Sequence, residues 1–183
     1  PGGPTFPPDV GPKGDVPRGG ADRLVSCACS AGPAFEGAQI SCGMTAAPGA
    51  ISSVEWRDGA LSCSVLGDGP AKGICGSGLI DAVAVMLELG AVDETGRMLD
   101  VDEDEGEIPE EALPYLFLKD DEPAFRLTEE VYVTQADVRK LQLGKGAIAA
   151  GVQVLLDAYG IPCGQVGGLL LAGGFGSYIR PES

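Results

Sequence analysis

Residues 134–160 read TQADVRKLQLGKGAIAAGVQVLLDAYG. Thr134 followed three positions later by Asp137 is a capping-box-like start, with Asp in place of the usual Glu. Val138, Leu141, Ile148, Val152, Leu155, Leu156 and Tyr159 recur at helical spacing, and the pattern closes at Gly160. One long helix with an apolar stripe is predicted. Gly144, Gly146 and Gly151 lie inside it, and each costs a helix interior roughly 1 kcal/mol in propensity. Glycines kept at that cost are expected where another backbone or a ligand comes close.

Moving outward, the continuous apolar run 166–172 fits a buried strand, and it ends in Gly173-Gly174-Phe175-Gly176. Upstream, residues 124–133 hold short strand-like segments. Residues 50–57 and 60–66 flank Asp58-Gly59, a dipeptide that favours a tight hairpin. Ile74-Cys75-Gly76-Ser77-Gly78 leads into Leu79, Ile80, Val83, Val85, Met86, Leu87 and Leu89, a buried helix closed at Gly90 by a left-handed cap. Residues 21–29 read as a strand. Pro33 then suits the first turn of a helix running to about Gly43. Strands interleaved with helices predict an α/β fold, a mixed sheet flanked by helices.

The chain of 183 residues has the length of one domain. Its formal net charge is −15, which opposes binding to nucleic acid or to an anionic membrane surface. No apolar run reaches the roughly 20 residues that a membrane span needs, and the start carries no signal-peptide pattern. Histidine is absent. That excludes Ser-His-Asp and Cys-His catalysis and His-ligated metals within this chain. Cys27, Cys29, Cys42, Cys63, Cys75 and Cys163 form no disulfide framework, so reduced, core-packed thiols and a cytoplasmic location are expected. Cys27-Ala28-Cys29 does not supply the four spaced thiolates of an iron–sulfur cluster.

Charge is concentrated in residues 93–130, which hold fifteen acidic and three basic side chains. Within it, residues 100–107 (DVDEDEGE) lack the ligand order and the closing bidentate Glu of an EF-hand loop, so a solvated acidic excursion is expected. Residues 1–20 contain six prolines and six glycines, a composition that cannot form a central strand.

Two glycine-rich turns stand near the ends of the chain, Asp9-Val10-Gly11-Pro12-Lys13-Gly14 and Gly173-Gly174-Phe175-Gly176. Without Cβ atoms in the way, backbone N–H groups in such turns can approach phosphate oxygens. Four longer blocks lie between and around them: residues 29–40 (CSAGPAFEGAQI), 73–81 (GICGSGLID), 134–148 (TQADVRKLQLGKGAI) and 171–176 (LAGGFG). In order and spacing these resemble the ATPases that reductively activate corrinoid proteins, over residues 21–180.

That resemblance implies membership of the acetate kinase, sugar kinase, Hsc70 and actin superfamily. Its members bind ATP with Mg²⁺ between two RNase H-like subdomains. Residues 21–183 would be the second of these actin-like ATPase subdomains, with residues 1–20 at the position of a degenerate phosphate turn. By similarity, Asp9, Gly11 and Gly14 occupy the phosphate-turn positions, with Asp9 near Mg²⁺ or its water and in the catalytic position. Ser30, Ala31 and Gly32 face the cleft, and Gly173, Gly174 and Phe175 face the adenosine. ATP turnover is then coupled to reduction of inactive cob(II)alamin in a corrinoid protein. The electron comes from an iron–sulfur ferredoxin domain which, like the first ATPase subdomain, this chain does not contain.

Pro12 and Lys13 depart from the Asp-x-Gly-Thr-Asn-Gly pattern and remove a hydroxyl, an amide and a backbone donor. That departure supports the alternative expectation, a non-catalytic interaction or dimerisation module, a homodimer included. Of the remaining residues, Phe35 and Trp56 are expected to pack. Glu36 and Asp81 fit either the cleft wall or a helix N-terminus, and Lys145 a solvated face.

Overall fold

The computed structural model describes residues 26–29 and 31–166. The hairpin forms at the predicted dipeptide: β1 (Ala50–Arg57) turns through Asp58 and Gly59 into β2 (Ala60–Val65). Both turn residues have positive φ, 52° and 76°, which matches the right-handed twist of the flanking strands. Val54 pairs with Cys63 and Trp56 with Leu61, and an irregularity in register falls between Ile51 and Ser53. The short β3 (Gly73–Ile74) runs parallel to β1 on its other edge, giving the mixed order β2-β1-β3.

Helix α1 (Gly76–Glu88) follows at once and packs on β1. Gly78 allows the close approach, because a Cβ there would lie 2.3 Å from the Ile51 carbonyl oxygen. Leu79, Ala82, Val83, Val85 and Met86 are buried on the packed side. Gly90, at φ 70°, turns the chain away after the last helical residues.

A second sheet, antiparallel, is built from β4 (Leu116–Lys119), β5 (Glu122–Arg126) and β6 (Tyr132–Thr134) in that order. Its centre is Phe125, fully buried and stacked on Tyr115 with ring centroids 5.4 Å apart. Trp56 meets the same Tyr115 edge to face at 6.0 Å, so one aromatic cluster joins the two sheets. Helix α2 (Gln135–Tyr159) continues directly from β6 and closes at Gly160, φ 61°. The fold is α/β, with helices against strands around one shared core.

Several expectations change. Pro33–Glu36 forms a single 3-10 turn, not a helix to Gly43. Gly37 and Gln39 adopt positive φ, 76° and 63°, and a Cβ on Gly37 would sit 2.3 Å from the Met44 carbonyl oxygen, so the chain folds back on itself there. Residues 26–29 form no strand and are exposed, and residues 21–25 lie outside the described residues. Val166 is exposed and outside any strand, and the rest of the predicted 166–172 strand lies outside the described residues. All six cysteines are free, but only Cys75 is buried; Cys42 and Cys63 are half-buried and Cys27, Cys29 and Cys163 exposed.

Residues 102, 103 and 105–107 are exposed turns, as expected of a solvated acidic loop, while much of the surrounding 93–130 stretch is packed. It buries Met98, Ala112, Leu116, Ala124 and Phe125 and supplies β4 and β5. Arg97 binds both oxygens of Asp104, at 2.8 and 3.0 Å, which neutralises part of the charge where the chain turns.

Candidate functional site

Of the residues singled out for nucleotide, Ala31 and Gly32 are described. Asp9, Gly11, Gly14, Ser30, Gly173, Gly174 and Phe175 lie outside the described residues. Gly32 has φ 77° and ψ 173°, a conformation nearly confined to glycine. It is exposed, and no atom of the described residues lies within 4 Å of the position a Cβ would take. Among those residues nothing covers its backbone on that side, as close approach of a ligand to a main chain requires.

The segment after Gly32 is held by α2. Asp137 is fully buried and uses both carboxylate oxygens. Oδ2 accepts the Thr134 N–H at 3.2 Å, while Thr134 Oγ1 accepts the Asp137 N–H at 3.3 Å, which completes the expected capping box. Oδ1 accepts the N–H of Ser41 at 3.0 Å. Lys140, one turn on, pairs with Asp137 at 3.5 Å and donates to the Gln39 carbonyl. Gly144 then lets the segment lie against the helix, since a Cβ there would fall 2.6 Å from the Phe35 ring and 2.8 Å from the Ala31 carbonyl oxygen. Cys27 and Cys29 approach Gly151 in the same way. At Gly146 no atom of the described residues lies within 4 Å of a Cβ placed there, so among them no backbone packs against it.

An adjacent face of α2 clamps the start of the acidic excursion. Gln135 accepts the Met98 N–H and donates to the Gly96 carbonyl. Arg139 and Gln142 both donate to the Thr95 carbonyl, at 2.8 and 2.9 Å. Glu36 and Lys145 are exposed. Asp81 instead is buried and accepts the Val54 N–H, so it braces the core and not a helix N-terminus.

Among the described residues, no group of three or more His, Cys, Asp or Glu side chains could hold a metal ion. Among them also, no helix is long and apolar enough to cross a membrane. Sequence reasoning found the Thr134–Asp137 box but not the reach of Asp137 to Ser41, 96 positions away, because a cap is a local pattern and its second oxygen has no local signature.

Residues 5–183 match the family profile described as the C-terminal domain of RACo, the ASKHA domain. The chain belongs to this family. It is 31 % identical over 181 residues to the "Corrinoid activation enzyme RamQ" of Eubacterium limosum, an alignment spanning 93 % of this chain and 30 % of that protein. It is 27 % identical over 201 residues to the "[Co(II) methylated amine-specific corrinoid protein] reductase" of Methanosarcina barkeri, covering 98 % of this chain and 33 % of the relative. Among solved structures, a "Reductive activator for corrinoid,iron-sulfur protein" superposes with a TM-score of 0.70 at 34 % identity, over 82 % of this chain and 24 % of that one. The chain thus spans about a third of the length of the curated relatives it matches. The ASKHA assignment agrees with the α/β fold.

Proposed function

We propose that this chain forms one half of the nucleotide cleft of an ATP-dependent reductive activator, which returns the inactive cob(II)alamin of a corrinoid protein to the cob(I) state. The observation that carries the reading is the match of residues 5–183 to the ASKHA domain of RACo. The two curated relatives, named for corrinoid activation and for reduction of a Co(II) corrinoid protein, support it. In this reading one electron passes to cobalt from an iron–sulfur ferredoxin domain, and ATP turnover drives the uphill step. That domain and the first ATPase subdomain belong to the complete protein, and the chain supplies residues 21–183 as the second subdomain.

Within the cleft, Asp9, Gly11 and Gly14 would form the phosphate turn, and Asp9 would hold Mg²⁺ or its water. Ser30, Ala31 and Gly32 line the cleft beside it. Gly173, Gly174 and Phe175 face the adenosine. Lys13 adds a point charge toward the phosphates in place of the missing hydroxyl. Pro12 favours a second reading, because it removes a backbone donor from the phosphate turn. The chain would then be a non-catalytic interaction or dimerisation module.

Two measurements on the complete protein separate the readings. Calorimetric titration with Mg-ATP should show saturable binding. Visible spectroscopy of a cob(II)alamin-loaded corrinoid protein, with an electron donor present, should show ATP-dependent conversion to cob(I). A complete protein that neither binds nor hydrolyses ATP overturns the activator reading and leaves the module.

A further inference from the structure

We infer that Asp137 and Gly144 are positioning residues for the nucleotide: the α2 seat they form sets where residues 31–41 lie, and nucleotide affinity depends on it. The inference rests on the activator reading, in which Ala31 and Gly32 line the cleft.

The 31–41 segment has little regular structure of its own. It contains one 3-10 turn, Pro33–Glu36, and positive φ at Gly32, Gly37 and Gln39. Such a chain has many alternative paths, and a ligand that needs one of them loses affinity in proportion to how rarely it is populated. The seat removes that freedom at three points along a single face of α2. Asp137 accepts the Ser41 N–H at 3.0 Å from a fully buried carboxylate. Lys140, paired with Asp137, donates to the Gln39 carbonyl. Gly144 admits the Ala31 carbonyl and the Phe35 ring to distances that no side chain would permit.

Positions 137, 140, 141 and 144 recur one turn apart, and Leu141 fills the gap between the polar anchor and the glycine with a buried apolar side chain. Asp137 also completes the cap of α2. One carboxylate therefore fixes both the start of the helix and the segment laid across it. Movement of either is transmitted to the other.

The test uses the complete protein. Asp137→Ala and Gly144→Leu are each expected to raise the Kd for Mg-ATP at least tenfold. In both, amide exchange should quicken across residues 31–43 and stay unchanged at Leu79 in α1. Gly146→Leu, the same substitution two positions along at a site with no described atom within 4 Å, should leave the Kd within twofold. Gly144→Leu keeps the question open to measurement even if loss of the cap unfolds Asp137→Ala. Unchanged exchange in residues 31–43 overturns the seat. Faster exchange with unchanged affinity overturns its link to nucleotide while the activator reading stands. A wild-type protein that binds no nucleotide fails at the parent reading, before any variant is compared.

Discussion

Asp81 Oδ2 accepts the N–H of Val54 at 3.2 Å, joining α1 to β1 where both residues are buried. One turn earlier, Ser77 Oγ donates to the Ser52 carbonyl at 2.9 Å. Among the described residues β3 pairs with β1 only as far as Ile51, and beyond it these two helix side chains meet the β1 edge. Asp81→Ala removes the acceptor from a buried amide and should cost about 2–3 kcal/mol. Asp81→Asn keeps an acceptor and should cost clearly less. Urea unfolding followed by circular dichroism measures both; equal, small losses would show that the bond is incidental.

The two glycines at the middle of α2 should respond in opposite directions. Gly146→Ala adds a methyl where no described atom lies within 4 Å, in a helix interior, and should stabilise the fold by about 0.5–1 kcal/mol. At Gly144 the same methyl meets the Phe35 ring and the Ala31 carbonyl. Its Tm should lie below that of Gly146→Ala. Thermal denaturation of the pair checks the ordering.

Cysteine reactivity should divide by burial. Desolvation pushes the Cys63 thiol up to about 11, leaving roughly a hundredfold less thiolate at pH 8 than an ordinary cysteine. Cys42 is also raised, first by burial, with the Asp137 carboxylate adding to the effect. Iodoacetamide followed by peptide mass spectrometry should label the exposed Cys27, Cys29 and Cys163 first and Cys63 far more slowly. Labelling of Cys63 at the rate of Cys163 would contradict the described packing.

Acid should loosen the turn over residues 93–104. The Thr95 hydroxyl and then the Arg97 N–H hold the Asp93 carboxyl below the usual range. The Asp100 N–H and then the Arg97 guanidinium do the same for Asp104. A carboxyl depressed in the folded state stabilises it above the unfolded value, and that contribution disappears as pH falls through the folded value. Protection of the Thr95, Arg97 and Asp100 amides should therefore hold from pH 7 to 5 and decline below about pH 4. The Leu79 amide in α1 serves as the reference. In Asp104→Asn the decline at Asp100 should shrink.

Much of the fold was legible because its signals are local. Asp58-Gly59 can hardly avoid a tight turn, Thr134 and Asp137 cap a helix three positions apart, and Gly90 and Gly160 end helices by allowing positive φ. Strand β4 escaped notice because Leu116–Lys119 is too short to show alternation and lies in a stretch whose charge reads as solvated. The solvated reading holds for the exposed turns of residues 102–107, where Arg97 binds Asp104, and does not extend to the packed residues on either side. The predicted helix after Pro33 stops at Glu36 because Gly37 and Gln39 take positive φ and the chain folds back onto Met44.

The sequence by itself determined α1, α2, the hairpin and the family, since periodicity, caps and four spaced blocks need only neighbours along the chain. Which face of α2 does what came only from the tertiary structure. Asp137 reaches Ser41, Gly144 admits Phe35, and Gln135, Arg139 and Gln142 clamp residues 95–98 on the adjacent face. These contacts join positions from 37 to more than 100 residues apart. Their partners become neighbours only after the sheets and helices have packed, so no window of sequence contains them.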